Sequence, residues 1–152
     1  MAGIPFTADT TSVALTASQT HTLGQVVAAT NTRVKVSRID VTVDGVTAAD
    51  PQITIDVLTQ SSAGTMSAVT PVKLRSSDSE TLQTTAQKNA SGTEPTTVGI
   101  IGTYFCHPMY GMPPIIYDPP IEVVGGTRLG VRATPGTLTA TTHVSTVFTC
   151  EE

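Results

Sequence analysis

Charged and aromatic side chains are scarce in this chain of 152 residues. Charged residues make up 13% of it, aromatic residues make up 4%, and tryptophan is absent. Soluble domains average about 25% charged residues, so much of this surface must consist of hydroxyl-bearing and small apolar side chains. The net charge of -4 argues against a general binder of nucleic acid or of anionic membranes, because such proteins carry a clustered basic face.

Long apolar runs are also missing. No window approaches the roughly 18 consecutive apolar residues that cross a bilayer. Residues 1–18 lack the early positive charge and the apolar stretch of a secretory signal. We therefore expect a protein that is made in a cytoplasm, where its two cysteines are held as thiols until it leaves that compartment.

Motifs that build catalytic or metal sites are absent as well. There is no G-x-S-x-G, P-loop or Rossmann glycine pattern. His21, His107 and His143 lie far apart in the sequence. Cys106 and His107 are adjacent, so on a strand their side chains would point to opposite faces. This spacing disfavours a metal site and a Cys–His nucleophilic pair. We predict that the chain is not an enzyme and needs no cofactor or metal.

Threonine dominates what is present. The chain has 29 threonines, set among valine and isoleucine and punctuated by 12 glycines and 10 prolines. Side chains branched at Cβ lose rotamer freedom in a helix but pack well on a pleated sheet. This composition predicts an all-β domain.

Strand signals recur along the chain at the spacing expected of a sandwich or barrel. The predicted strands are residues 12–17, 22–28, 33–44, 52–60, 71–75, 98–106, 115–117, 121–124, 127–133 and 137–151. The polar stretch 75–97 is predicted to be an extended excursion, with a helix of two or three turns as the alternative. About eight strands predict a single-domain, jelly-roll-like antiparallel β-sandwich over residues 13–152.

Segment 33–44 contains a change of apolar parity. Val34 and Val36 would face one side of a strand, whereas Ile39 and Val41 would face the other. A strand can bury both sets only if it contains one extra residue. We therefore predict a β-bulge near Ser37.

The first twelve residues are predicted to form an extended N-terminal arm. Ile4 and Phe6 stand there among glycine, proline, threonine and aspartate, a mixture too irregular for a strand and too apolar to be left in water. Apolar and aromatic side chains supply much of the affinity of protein interfaces. Ile4 and Phe6 are therefore predicted to bind a partner.

Residues 107–120 form a proline-rich segment. Its five prolines remove amide donors, so it must be a stiff connection or a sheet edge rather than a central strand. Met109, Tyr110 and Met112 lie on it. They either fold back to cap the open end of the sandwich or serve as partner-binding anchors that lose little entropy on docking.

The two cysteines, Cys106 and Cys150, share strand faces with apolar residues. This pattern favours two buried thiols that act as small hydrophobic groups. The alternative is a disulfide formed after release into oxidising surroundings, either within the chain or between chains.

Four segments together carry a family resemblance. They are MAGIPFTA at residues 1–8, TQSSAGTMSAVTPVKL at 59–74, ETLQTTAQ at 80–87 and GGTRLGVRATP at 125–135. In texture and order they resemble the capsid decoration, or cement, proteins of tailed bacteriophages. The resemblance implies a jelly-roll-like homotrimer that binds the major capsid protein on the outside of the virion, after synthesis in the cytoplasm of the bacterial host.

Three other functions remain open at this stage. The chain could be a tail, baseplate or head-fibre component of a virion. It could also be a carbohydrate-binding module for host attachment, which predicts exposed aromatic residues in a groove. An enzyme would require a pocket that joins Cys106 to a histidine.

Overall fold

The computed structural model describes residues 3–152, and this part of the chain is all β, with twelve strands and no helix. The strands are β1 (Pro5–Asp9), β2 (Val13–Ala14), β3 (His21–Val27), β4 (Arg33–Val43), β5 (Ile53–Gln60), β6 (Ser67–Val69), β7 (Val72–Lys73), β8 (Thr85–Lys88), β9 (Thr97–Cys106), β10 (Ile115–Val124), β11 (Arg128–Thr134) and β12 (His143–Glu151). Within residues 3–152, nothing helical is available to span a lipid bilayer.

The strands form two antiparallel sheets that pack face to face as a β-sandwich. Sheet 1 has the order β10-β4-β12-β1-β7, with β2 also pairing with β12. Sheet 2 has the order β6-β8-β3-β11-β5-β9. The predicted antiparallel β-sandwich is therefore confirmed.

The core lies between the two sheets and follows the alternation of the strands. Along β12, Val144, Thr146, Phe148 and Cys150 are buried, as the alternating pattern of residues 137–151 predicted. The strand itself begins only at residue 143. Phe6 and Phe148 have the largest fully buried side chains. Burying an aromatic side chain of this kind contributes roughly 1.5–3 kcal/mol, so this pair anchors sheet 1 to the core.

The bulge predicted near Ser37 is present. Arg38 pairs with Thr149 of β12, but the next pair joins Val36 to Cys150, which leaves Ser37 as the extra residue. The Ser37 hydroxyl donates a hydrogen bond of 3.3 Å to the carbonyl oxygen of Thr149. The bulge therefore explains the change of apolar parity in the sequence.

The predicted N-terminal arm is wrong for the residues that the structure describes, and residues 1 and 2 lie outside them. Residues 5–9 form β1, which lies between β12 and β7 inside sheet 1. Phe6 and Ala8 alternate into the core and are fully buried, and Ile4 is 9% exposed. The segment is short, but β12 supplies its hydrogen bonds over the whole length from Pro5 to Asp9.

The polar stretch 75–97 is extended, as predicted, and the helical alternative is wrong. Its residues 85–88 form β8, which pairs with β3 on one side and β6 on the other. The Glu152 carboxylate accepts hydrogen bonds from the backbone N–H groups of Gln83 and Thr84. These bonds hold the start of β8 beside the end of β12.

Candidate interaction surface

The edge strands β9 and β10 lie together on one side of the sandwich. In the part of the chain that is described, β9 pairs only with β5 and β10 pairs only with β4. The hydroxyl oxygens of Tyr104 on β9 and Tyr117 on β10 are 3.1 Å apart and share a hydrogen bond. Burial, together with this bond, raises the pKa of Tyr117 above its ordinary value, so the phenol stays protonated.

Six large apolar side chains are exposed on these two edges. We call them the edge patch, and they are Val98, Ile100, Ile101 and Phe105 of β9 and Ile116 and Val124 of β10. No charged residue occurs from residue 97 to residue 106. Proteins that bind other macromolecules often expose large apolar side chains of this kind.

Register shifts explain why β9 exposes apolar residues. The pairing of β9 with β5 shifts between Val57 and Leu58 and again between Thr59 and Gln60. Bulges of this kind bend a strand and re-aim its side chains. The second half of β9 therefore buries Cys106 in the core, while Val98 and Ile100 near its start point to solvent.

Prolines protect the free edge of β10. Its pairing with β4 is interrupted between Ile116 and Ile121, and Pro119 and Pro120 lie inside the interruption. Proline has no amide donor and cannot complete a ladder with an added strand. The edge of β10 is therefore suited to side-chain contact and not to continued strand pairing.

The connection from β9 to β10 is a rigid turn. His107 and Gly111 are joined by two backbone hydrogen bonds of 3.2 and 2.8 Å. Nδ1 of His107 accepts bonds from the backbone N–H groups of Met109 and Tyr110, and the rings of His107 and Tyr110 lie 4.6 Å apart. Gly111 has a φ of +71°, which glycine adopts at little cost.

A second apolar surface, which we call the tip, consists of Val46, Met109 and Tyr110. Tyr110 is 72% exposed and Val46 is 74% exposed. The loop that carries Val46 packs on the turn, since a Cβ atom built on Gly45 would lie 2.6 Å from the carbonyl oxygen of Pro108. The tip is therefore an exposed apolar surface on a fixed backbone.

The structure separates the residues that were predicted to bind a partner. Met109 and Tyr110 are exposed on the tip, whereas Met112 is half-buried and packs against the core. Met112 therefore fits the interpretation that the segment folds back onto the core, whereas the role of Met109 and Tyr110 as anchors stays a prediction. Ile4 and Phe6 cannot serve as anchors of a free arm, because both are buried in or beside sheet 1.

Cys106 and Cys150 are free, buried thiols. Cys106 lies on β9 at the edge of sheet 2, and Cys150 lies on β12 in sheet 1. In sheet 1, β4 separates β12 from the edge strand β10, which lies beside β9. The two thiols are not joined in this structure, and the alternative of a disulfide, within the chain or between chains, stays a prediction. Burial raises the pKa of Cys106 to about 11 and that of Cys150 to about 12.

A polar cavity of about 420 Å³ opens away from the edge patch, beside the start of β3. His21 lines it, with Nε2 2.7 Å from the Asn89 side-chain oxygen and Nδ1 3.5 Å from a carboxylate oxygen of Glu94. Apart from Gln19, the other lining residues are small or hydroxyl-bearing. Nowhere in residues 3–152 do three or more histidine, cysteine, aspartate or glutamate side chains gather as a metal site would require.

Sequence reasoning missed the edge patch. The residues of β9 were assigned to a strand, but their apolar character suits a buried strand as well as an exposed one. The available signal was the combination of apolar residues on both faces, with Val98 and Ile100 of one parity and Ile101 and Phe105 of the other, next to a proline-rich segment. The comparisons with family models, with curated proteins and with solved structures found no match for this chain.

Proposed function

We propose that this chain is a structural virion protein that decorates and stabilises the outside of a tailed-phage capsid. It is a non-catalytic homotrimer that is made in the cytoplasm of the bacterial host and binds the major capsid protein. The resemblance of four sequence segments to capsid decoration proteins suggests the family, and the surfaces of the molecule supply the physical support.

The strand order supports a jelly roll, a fold that recurs among viral capsid domains. Without the short strands β2, β6, β7 and β8, each sheet has four strands, in the orders β10-β4-β12-β1 and β3-β11-β5-β9. The first and last strands are neighbours in sheet 1, and strands that follow each other in sequence mostly alternate between the sheets. Two Greek keys folded together produce this arrangement.

The observation that carries the proposal is the apolar edge patch, whose β9 part contains no charged residue. Interface cores are depleted of charged residues and enriched in aromatic and large apolar ones. Phe105 is 62% exposed near the end of β9, a strand that has no ionic residue. Covering such a surface requires little removal of water from charges, which suits a protein that acts only by adhesion.

We assign the capsid contact to the tip. Met109 and Tyr110 are held on a turn closed by the bonds between His107 and Gly111, so docking costs little conformational entropy. Tyrosine is enriched among residues that dominate binding energy. Three copies would present three tips at once, and the second and third contacts gain from high effective concentration.

The test is to add the purified chain to expanded heads that lack it. We expect cosedimentation with the heads, density at the junctions of capsid subunits in electron micrographs, and heads that resist heating better. Tyr110→Ser should weaken binding about tenfold or more, whereas Tyr110→Phe, which keeps the ring, should bind nearly as well. The absence of the chain from heads, or its location on tails or baseplates, would contradict the proposal.

The polar cavity favours one alternative, a carbohydrate-binding module for host attachment. Its hydroxyl-bearing lining with His21 and Glu94 could form hydrogen bonds to a sugar. This function predicts that the purified chain binds host-cell polysaccharide and that His21→Ala abolishes the binding. Binding to heads that is unchanged in His21→Ala would instead support decoration.

A further inference from the structure

Sheet 1 has two open edges, and both expose apolar side chains. On the β7 side, Val72 is 63% exposed and Leu74 is 57% exposed. On the β10 side, Ile116 is 69% exposed and Val124 is 48% exposed. The two sets lie on opposite sides of the molecule, so they cannot cover each other within one chain.

The register of sheet 1 places the apolar residues of the two edges at the same height, that is, at the same position along the strand direction. One row of paired residues runs across the sheet through Val72, Thr7, Thr149, Arg38 and Ile116. Two rows further on, another row runs through Leu74, Pro5, Glu151, Lys35 and Glu122, where Leu74 joins by donating its N–H to the carbonyl oxygen of Pro5. Val72 and Ile116 therefore end the same row, and so do Leu74 and Glu122.

Equal height along the strands allows a ring to close about an axis that runs parallel to them. A contact between two different surfaces of identical chains gives a closed ring when each copy is related to the next by rotation alone. If the two surfaces lay at different heights along the rotation axis, each copy would be displaced and a filament would form. We infer that the β7 edge of one copy docks against the β10 edge of a second copy and that this head-to-tail contact closes a ring.

The two edges are complementary in shape. A groove of about 370 Å³ lies between Val98 of β9 and Val124 of β10, and its lining is mainly apolar. Leu74 lies at the opposite edge with more than half of its surface exposed. A second copy could insert Leu74 into the groove and bury apolar surface on both sides.

The two edges are also complementary in charge. Glu122 lines the groove, and its carboxylate lies 3.3 Å from Arg33 with half of its side chain exposed. Arg75 follows Leu74, is exposed, and has no ion pair with another residue among those described. Docking of Leu74 in the groove would bring Arg75 of one copy to Glu122 of the next. Opposite charges at matching places favour this docking and disfavour contact between two like edges.

The inference rests on the proposed function only for the number of copies, which is three. The contact itself follows from the free chain and is tested without capsids. The test measures the mass of the purified chain against concentration by analytical ultracentrifugation. We expect a ring-sized oligomer for the wild-type chain.

Two variants each remove one side of the contact. Leu74→Ser and Val124→Ser should each weaken self-association roughly tenfold or more, as loss of a central interface side chain does. Val46→Ser provides the matched control, because Val46 is equally apolar and exposed but lies on the tip. Its oligomer should be unchanged, and circular dichroism should show that all three variants fold.

Mixing the two defective variants gives the decisive result. The Leu74→Ser chain keeps an intact β10 edge and the Val124→Ser chain keeps an intact β7 edge, so a mixture should form a one-to-one dimer that cannot close. A symmetric contact between like edges would not be restored by mixing. Likewise, Arg75→Glu and Glu122→Arg should each weaken the ring, and a chain that carries both should recover it.

The possible failures are distinct. A wild-type chain that remains monomeric, or defective variants that keep the ring or do not complement each other, would overturn the inference. If the chain failed these tests of self-association but still bound heads, only the contact between the β7 and β10 edges would be refuted. If the ring forms as expected but heads do not bind it, the capsid role fails and the ring stands.

Discussion

The hydroxyl groups of Tyr104 and Tyr117 meet 3.1 Å apart and join the edge strand of one sheet to the edge strand of the other. This bond closes the side of the sandwich that carries the edge patch. Both rings are half-buried and pack against the core, so the bond is partly shielded from water. The edge patch therefore lies on two strands that are joined by a hydrogen bond.

Removal of either hydroxyl should loosen this side of the molecule. Tyr104→Phe and Tyr117→Phe should each lower the free energy of unfolding by about 1 kcal/mol, since each leaves the other phenol without its partner. The double variant should cost clearly less than the sum of the two single changes. Chemical denaturation measures all three, and Tyr110→Phe on the exposed tip is a control that should change little. Strictly additive losses would show that the two hydroxyls do not interact.

Phe6 should behave as a core residue and not as part of a loose arm. Phe6→Ala should lower the free energy of unfolding by about 3–5 kcal/mol, because Phe6 is fully buried between the sheets. Phe105→Ala, which removes an exposed phenyl group of the same size, should cost less than about 1 kcal/mol. Thermal denaturation compares the two. If Phe6→Ala were as stable as the wild-type chain, residues 5–9 would be better described as an arm that does not contribute to the core.

The two thiols should be inert in the folded protein. Cys106 and Cys150 are buried, and their raised pKa values leave almost no thiolate near neutral pH. Iodoacetamide at pH 8 should label neither cysteine until the chain is unfolded, and mass spectrometry counts the labels. Because both folded pKa values are raised, the related stability is present below pH 9.0, the ordinary thiol pKa, and declines as pH rises toward about 11. Rapid labelling of the native chain would contradict this prediction.

Asp44 should make the protein sensitive to acid. Its Oδ1 accepts a hydrogen bond of 2.6 Å from the backbone N–H of His143, and this bond holds the pKa of Asp44 below its ordinary value of 3.8. A lowered folded pKa gives stability that is present above pH 3.8 and lost as pH falls through the folded value. The Asp44→Asn variant should melt below the wild-type chain at pH 7, and the gap should close near pH 2. A gap that stays constant over that range would exclude the charge of Asp44 as its cause.

Local pattern was enough to predict much of the sandwich. The bulge at Ser37 followed from the parity of four apolar residues in β4, because strand geometry permits only one way to bury both sets. The buried face of β12 followed from simple alternation. In both strands the information lies in neighbouring residues, which is the range over which sequence patterns are informative.

The remaining features depend on contacts between distant residues. Phe6 and Ala8 give only two alternating positions, and β1 becomes a strand because β12 pairs with it from more than a hundred residues away. The exposure of Val98 and Ile100 likewise depends on the place of β9 at the edge of sheet 2. Apolar residues have the same pattern in a central strand, so the sequence alone could not distinguish the two positions.

The pairing of β1 with β12 has a consequence for biosynthesis. The core of sheet 1 joins β1 to β12, which follows more than a hundred residues later, so it cannot close until β12 has left the ribosome. During translation Phe6 is therefore made before the residues that it packs against. Proteins dominated by such distant contacts fold slowly and are prone to aggregation.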